Sequence, residues 1–192
     1  MALKATVFRA EVTIADMDRE LYGDHTLTLA RHPSETDERM MVRLLAFVLN
    51  AEDGLAFGAG LSSEDEPALL TKAADGSLDH WIEVGLPDPK RLRQGATRSR
   101  RLTVYTYGGS KADLWWQRNH VELGRIPRPV RVVELALEET TALAALADRG
   151  MRLTATVQDG QVWITDRQDR MVGVTPRVLD PASWTSDQAQ GN

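Results

Sequence analysis

DHWIEVGLPDPKR (residues 79–91) reads as a strand that stops at a turn and passes directly into a helix. Trp81, Ile82 and Val84 are strong strand formers, and Pro87, which has no amide hydrogen to donate, ends the ladder. Asp88 can then cap a helix whose first position is Pro89, where the missing N–H costs nothing. Strand alternation puts Asp79, Trp81, Glu83 and Gly85 on one face, with His80, Ile82 and Val84 on the other. Glu83 is therefore a carboxylate in the middle of an apolar run. Buried there, it needs a positive partner, either a metal ion or the cations that open the next helix, Lys90 and Arg91. If that face is the solvated side of an antiparallel sheet, Glu83 points at water instead.

Upstream, SETDERMMVRLLAFVLNAEDG (residues 34–54) has the pattern of an amphipathic helix. Ser34 is the expected N-cap with Asp37 as its capping-box partner, and Glu35, Asp37 and Glu38 crowd the positive end of the helix dipole. The apolar stripe is Met41, Leu44, Leu45 and Val48. Extended toward the N-terminus it takes in Glu38 and leaves Asp37 outside, so Glu38 is either an inward functional acid or a surface acid that complements the dipole. LAFGAGL (residues 55–61) reads as a short buried strand with glycines that allow close approach of another segment. The acids Glu64, Asp65 and Glu66 then precede Pro67 and a candidate strand at Ala68-Leu69-Leu70. A turn at Asp75-Gly76 folds that strand back on the Glu83 strand and brings the neighbourhood of the acidic triplet within reach of Glu83.

Downstream, the Asp88-capped helix covers about 88–97, LTVYTYGG (residues 102–109) is a strand ending in a glycine turn, and Lys111 to His120 is a further helix. Its Trp115-Trp116 pair could stack on bases, but neighbouring helix positions diverge by about 100°, so at least one is expected in the core. VRVVEL (residues 130–135) is a strand and EETTALAALADR (residues 138–149) an alanine-rich helix closed by Gly150. LTATVQ and QVWIT flank Asp159-Gly160, the mark of a tight hairpin, and MVGV (residues 171–174) follows. At the other end of the chain, residues 4–14 alternate and His25 to Ala30 forms a second candidate strand, which together suggest an opening hairpin.

The 192 residues suffice for a single domain over 1–179, with 180–192 as a flexible polar tail. No apolar run approaches the roughly 20 residues of a membrane span, and charges are too frequent at the N-terminus for a signal peptide, so a cytoplasmic protein without membrane contact is expected. The absence of cysteine excludes disulfides, thiolate metal sites and a cysteine nucleophile. With only 4 scattered histidines, a metal site would be built from carboxylates and would favour a hard cation such as Mg²⁺. The net charge of −5 argues against a whole surface that binds nucleic acid, yet residues 90–101 hold Lys90, Arg91, Arg93, Arg98, Arg100 and Arg101 with no acid among them. That run is either a solvated helix face and loop or a contact for nucleic acid.

The order helix, strand, strand, strand, helix, strand over about 34–108, with acids on the first helix, near the second strand and on the third, resembles the core of the PD-(D/E)XK nuclease superfamily. Over nearly its full length the sequence also resembles the YaeQ family, through RHPSETDERMMVRLLAF, LSSEDEP, WIEVGLPDPKR, VYTYGG, Trp115-Trp116 and QDGQVWI. These resemblances imply a mixed α/β fold, an αβββαβ nuclease-like core with additional β-hairpins at the N- and C-terminal ends, the latter within a C-terminal αβββ extension over about 130–176. They imply a Mg²⁺- or Mn²⁺-dependent nuclease in which Asp65, or alternatively Glu66, matches the acid of the second strand. Glu83 matches that of the third strand and Glu38 the helical acid. The superfamily's lysine falls at Gly85 in this chain, so Lys90 or Arg91 would supply the cation, and Arg93, Arg98, Arg100 and Arg101 would track a nucleic-acid backbone. The alternative expectation is a member that has lost the chemistry with the lysine and binds nucleic acid or a protein.

Overall fold

Two long strands open the chain, β1 (Thr6–Asp16) and β2 (Leu21–Arg31), paired antiparallel from Thr6↔Arg31 to Asp16↔Leu21. Phe8, Ala10, Val12 and Ile14 alternate inward along β1, so one face of this hairpin is committed to a core. The computed structural model describes residues 5–58, 66–128 and 130–180.

Helix α1 (Asp37–Leu49) follows, and every residue from Met40 to Val48 is buried. A helix enclosed on all sides must lie between two layers, and α1 does. Beyond it come β3 (Ala56–Phe57), β4 (Leu69–Lys72), β5 (Leu78–Val84), α2 (Pro89–Arg98), β6 (Ser99–Thr106), α3 (Ser110–Gly124) and β7 (Val130–Glu134). The last described elements are α4 (Leu137–Ala144), β8 (Gly150–Gln158), β9 (Gln161–Asp166), β10 (Met171–Val174) and β11 (Arg177–Leu179).

Among the described residues the strands form a five-stranded sheet in the order β10-β9-β8-β1-β2 and a six-stranded sheet in the order β11-β7-β6-β5-β4-β3. In the six-stranded sheet β5, β6 and β7 run parallel, joined by α2 and α3, while β3, β4 and β11 add antiparallel edges. One core joins the inner face of the five-stranded sheet, α1, α4, and the Ile82, Val84, Tyr105 and Val133 face of the second sheet. A second core lies on the opposite face, where Trp81, Leu102, Val104 and Val132 meet Leu92 and Ala96 of α2 and Trp116 and Leu123 of α3. The layers are thus sheet, helices α1 and α4, sheet, helices α2 and α3.

The mixed α/β class and the helix–strand order expected from the sequence are present, and five local expectations are corrected. The hairpins expected at the two ends are one sheet, because β1 pairs in parallel with β8 from Arg9↔Gly150 to Asp16↔Val157. The N-cap of α1 is Thr36, whose hydroxyl accepts from the Arg39 N–H at 3.1 Å, while Ser34 is engaged with His32. The buried strand expected at 55–61 is a two-residue edge, Ala56–Phe57, with Ala56 exposed, and residues 59–61 lie outside those described. Arg100 and Arg101, expected in a loop, belong to β6, which starts at Ser99 because Leu78 pairs with it in the parallel ladder. Gly150 begins β8 and α4 stops at Ala144. The tail beyond residue 180 falls outside the described residues. No helix among the described residues is long and apolar enough to cross a membrane.

Candidate active site

Glu83 sits one residue before the end of β5, on the face covered by α2 rather than on a solvated one, and is 3% exposed. The strand puts Trp81 on the same face, and the Trp81 indole N–H donates to Glu83 Oε1 at 2.7 Å. Arg91 Nε donates to the same oxygen at 2.8 Å. Among the described residues no hydrogen bond reaches Glu83 Oε2. Burial pushes the Glu83 carboxyl above the ordinary carboxylate range, against the opposing pull of Arg91 and Trp81.

The local chemistry of the turn places Arg91 there. Asp88 is the N-cap of α2, accepting from the Arg91 N–H at 2.9 Å, with Pro89 at the first helical position. The first turn of α2 therefore faces back on the end of β5. Gly95 allows the close approach, since a Cβ there would stand 3.1 Å from the Trp81 ring. Arg91 and Arg98, seven residues apart on α2, lie 6.0 and 5.4 Å from that ring's centroid. Of the two cations expected to answer Glu83, Arg91 does so; Lys90 is exposed.

Gly85 has φ of 109°, a region that L side chains rarely adopt, and its N–H donates to Tyr105 O at 2.9 Å. A lysine at this position would be strained by the backbone itself. The cation comes from α2 because the chain turns at Gly85 as it leaves the strand.

Asp65 lies outside the described residues. Its neighbour Glu66 is exposed, and the Glu66 carbonyl accepts from Arg91 Nη2 at 2.7 Å, so Glu66 is tied to the cation that holds Glu83. Glu38 belongs to α1, on the other side of the six-stranded sheet, and its Oε1 accepts from Thr140 Oγ1 of α4 at 2.7 Å. Among the described residues no three His, Asp or Glu side chains gather as a metal site.

A second charged group reaches this end of the sheet from α1. Glu35 is buried, bridged by Arg43 through Nε at 2.9 Å and Nη2 at 2.8 Å, and also by Arg39 at 2.6 Å. The charge of Arg39 is near enough to act on both Glu83 and Tyr107, the latter pushed up to about 12 chiefly by its burial. Glu35, Arg39 and Arg43 at intervals of four were the available signal for this network, masked by the apolar residues around Arg43. The four arginines expected to track nucleic acid are dispersed. Arg93 pairs with Glu122 of α3, Arg98 lies over Trp81, and Arg101 is held by Asp79 and Glu52. Arg100 stands 3.9 Å from Asp75 and from Asp79.

The family model described as YaeQ protein matches residues 1–175. The chain belongs to the YaeQ family. The uncharacterized protein YaeQ of Escherichia coli K12 is 42% identical over 171 residues, which is 89% of this chain and 94% of that one. The YaeQ of Salmonella typhi is identical to the same 42% over the same share of each chain. Among solved structures, YaeQ from Xanthomonas axonopodis pv. citri superposes with a TM-score of 0.87 at 49% identity, covering 92% of this chain and 98% of its own. YaeQ from Pseudomonas syringae gives 0.86 at 35% identity, with 91% and 96% covered. The two-sheet architecture is thus that of the YaeQ structures.

Proposed function

We propose that this YaeQ protein is a divalent-metal-dependent phosphodiesterase acting on nucleic acid, with its centre at Glu83, Arg91 and Asp65. The observation that supports this is the division of labour at Glu83: both hydrogen bonds fall on Oε1, which leaves Oε2 as an uncommitted carboxylate oxygen beside a guanidinium. Mg²⁺ is commonly held by one or two carboxylates, with water and a substrate phosphate completing its shell. Glu83 Oε2 and Asp65 would meet that requirement, with Glu66 as the alternative second acid. Because Glu38 Oε1 is committed to Thr140, two acids rather than three carry the proposal. When bound, the ion would polarise the scissile phosphate and lower the pKa of a water ligand. Arg91 would give up part of its pairing with Glu83 to meet the charge developing on the phosphoryl oxygens. Trp81 would keep Glu83 Oε1 oriented throughout, and Arg93 and Arg98 along α2 would meet the flanking phosphates.

Non-catalytic binding of nucleic acid or of a protein is favoured by a different observation, that Arg91 already answers the charge of Glu83. A nicking assay on supercoiled plasmid with Mn²⁺ separates the two. Cleavage by the wild type that is lost in Glu83→Gln, Asp65→Asn and Arg91→Ala supports the phosphodiesterase. Plasmid binding without cleavage, abolished by reversing Arg93, Arg98, Arg100 and Arg101, supports the binding protein.

A further inference from the structure

At the starting ends of β6 and β7, the ends remote from Glu83, a cavity of about 430 Å³ opens at the end of the six-stranded sheet and takes lining residues from both of its faces. Its walls include Arg100, Arg101, Arg131, His80, Thr103 and Val178, with Asp180 the one carboxylate among its lining residues. Strand register gathers them: His80 pairs with Arg101 and Thr103 with Arg131 across the parallel ladder.

The three guanidiniums are not equivalent. Arg101 is spent, bonded to Asp79 Oδ2 at 2.6 Å and to Glu52 Oε1 at 2.8 Å, and serves as a fixed wall. Arg100 makes two long ion pairs, 3.9 Å from Asp75 and from Asp79, beyond hydrogen-bond distance, so its charge is partly answered while its N–H donors are not engaged by them. Arg131 is exposed and makes no ion pair among the described residues, yet its charge is felt at His80. Beneath them His80 is 4% exposed, with Nε2 bonded to Thr103 Oγ1 at 2.9 Å. Its Nδ1 is buried without a partner, 3.9 Å from Glu52 Oε1. A buried ring nitrogen left unbonded is costly. Since the Thr103 hydroxyl can donate or accept, the imidazole can offer Nδ1 as either acceptor or donor.

We propose that this cavity binds a small organic phosphate, its phosphate taken by Arg100 and Arg131 and its polar edge by the His80–Thr103 pair, with Val178 and Leu179 beneath its apolar part. Arg131 makes no ion pair among the described residues and Arg100 makes only two long ones, so both guanidiniums keep hydrogen-bond donors to offer, and their planar forks suit the oxygens of a phosphate monoester. Extended nucleic acid is a poorer fit. Asp75, Asp79 and Glu52 flank Arg100 and Arg101 and would repel a chain of phosphates more strongly than a single one. The volume falls in the range of roughly 300–1,000 Å³ typical of small-molecule sites.

Calorimetric titration of the full chain with inorganic phosphate, adenosine 5′-monophosphate and glucose 6-phosphate tests this, with adenosine and a 5′-phosphorylated oligonucleotide as controls. At least one organic monoester is expected to bind more tightly than inorganic phosphate. Adenosine should not bind, and Arg131→Ala, an exposed position where folding is not at stake, should weaken the monoester tenfold or more. Glu83→Gln should leave this binding intact, which separates it from the phosphodiesterase centre. Absence of binding by all three phosphates, binding unchanged in an Arg100→Ala, Arg131→Ala double variant, or tighter binding of the oligonucleotide than of any monoester would each overturn the assignment.

Discussion

Trp81 and Glu83 stand two residues apart on one face of β5, and the indole N–H of the first holds the carboxylate of the second at 2.7 Å. That bond fixes which carboxylate oxygen Arg91 shares and which remains open. Replacing Trp81 by Phe removes the donor but keeps a ring under α2. A loss of about 1–2 kcal/mol is expected from the missing hydrogen bond to a buried charged group, measured by urea unfolding. Glu83→Gln should also destabilise, by about 1–3 kcal/mol, because it strands a half-buried Arg91. A gain in stability would mean that the pair is a net burden on the fold.

Gly85 explains why a lysine is missing two residues after Glu83. With φ at 109° the position accepts a side chain only with strain, so Gly85→Lys is expected to cost about 1–3 kcal/mol. It should not raise any metal-dependent cleavage above that of the wild type. A rise in cleavage would show that Arg91 does not serve as the cation.

His80 makes stability depend on pH. Burial first, and then the charge of Arg101, hold it at about 4, with Arg131 adding to the same effect and Glu52 and Asp79 opposing it. In the unfolded chain its pKa is near 6.5, so between about pH 4 and 6.5 the unfolded state binds the extra proton. The stabilisation is therefore complete above pH 6.5 and is lost as pH falls toward 4. It amounts to roughly 3 kcal/mol. His80→Gln, compared with the wild type by urea unfolding at pH 4.5 and 7, should flatten this dependence. Parallel pH curves would contradict it.

Arg43 is the buried cation of α1, with both it and Glu35 at 1% side-chain exposure. Burial draws its pKa down and Glu35 opposes that. Arg43→Ala leaves Glu35 with Arg39 alone, and a loss of about 3–5 kcal/mol is expected. Pairing Arg43→Met with Glu35→Gln should recover part of it. If the single variant unfolds at the wild-type urea concentration, the bridge is not structural.

The stretch from α1 to β6 was legible because its signals are local: a helical stripe at Met41, Leu44, Leu45 and Val48, the Asp88-Pro89 cap, the Asp75-Gly76 turn. The union of β1 with β8 was not, since some 140 residues separate Arg9 from its partner Gly150 and nothing local records the pairing. Alternation put Trp81 and Glu83 on one face but could not say what covers it. That depended on α2 and α3 lying together on that side of three parallel strands. Glu38 pointed inward as its stripe implied, yet its inward direction leads to Thr140 of α4, on the far side of the sheet from Glu83. The basic run from Lys90 to Arg101 looked continuous in sequence. A turn from helix into strand breaks it, with Arg91 at Glu83 and Arg100 at the opposite end of the sheet.

The proposed metal centre stands or falls on Glu83 Oε2 as a ligand for a divalent cation. Mn²⁺ titration followed by electron paramagnetic resonance, in the wild type and in Glu83→Gln, tests it directly. One bound ion is expected in the wild type, displaced by Mg²⁺, and lost or weakened at least tenfold in Glu83→Gln. Equal Mn²⁺ binding by the two proteins, or none by the wild type, would contradict the claim.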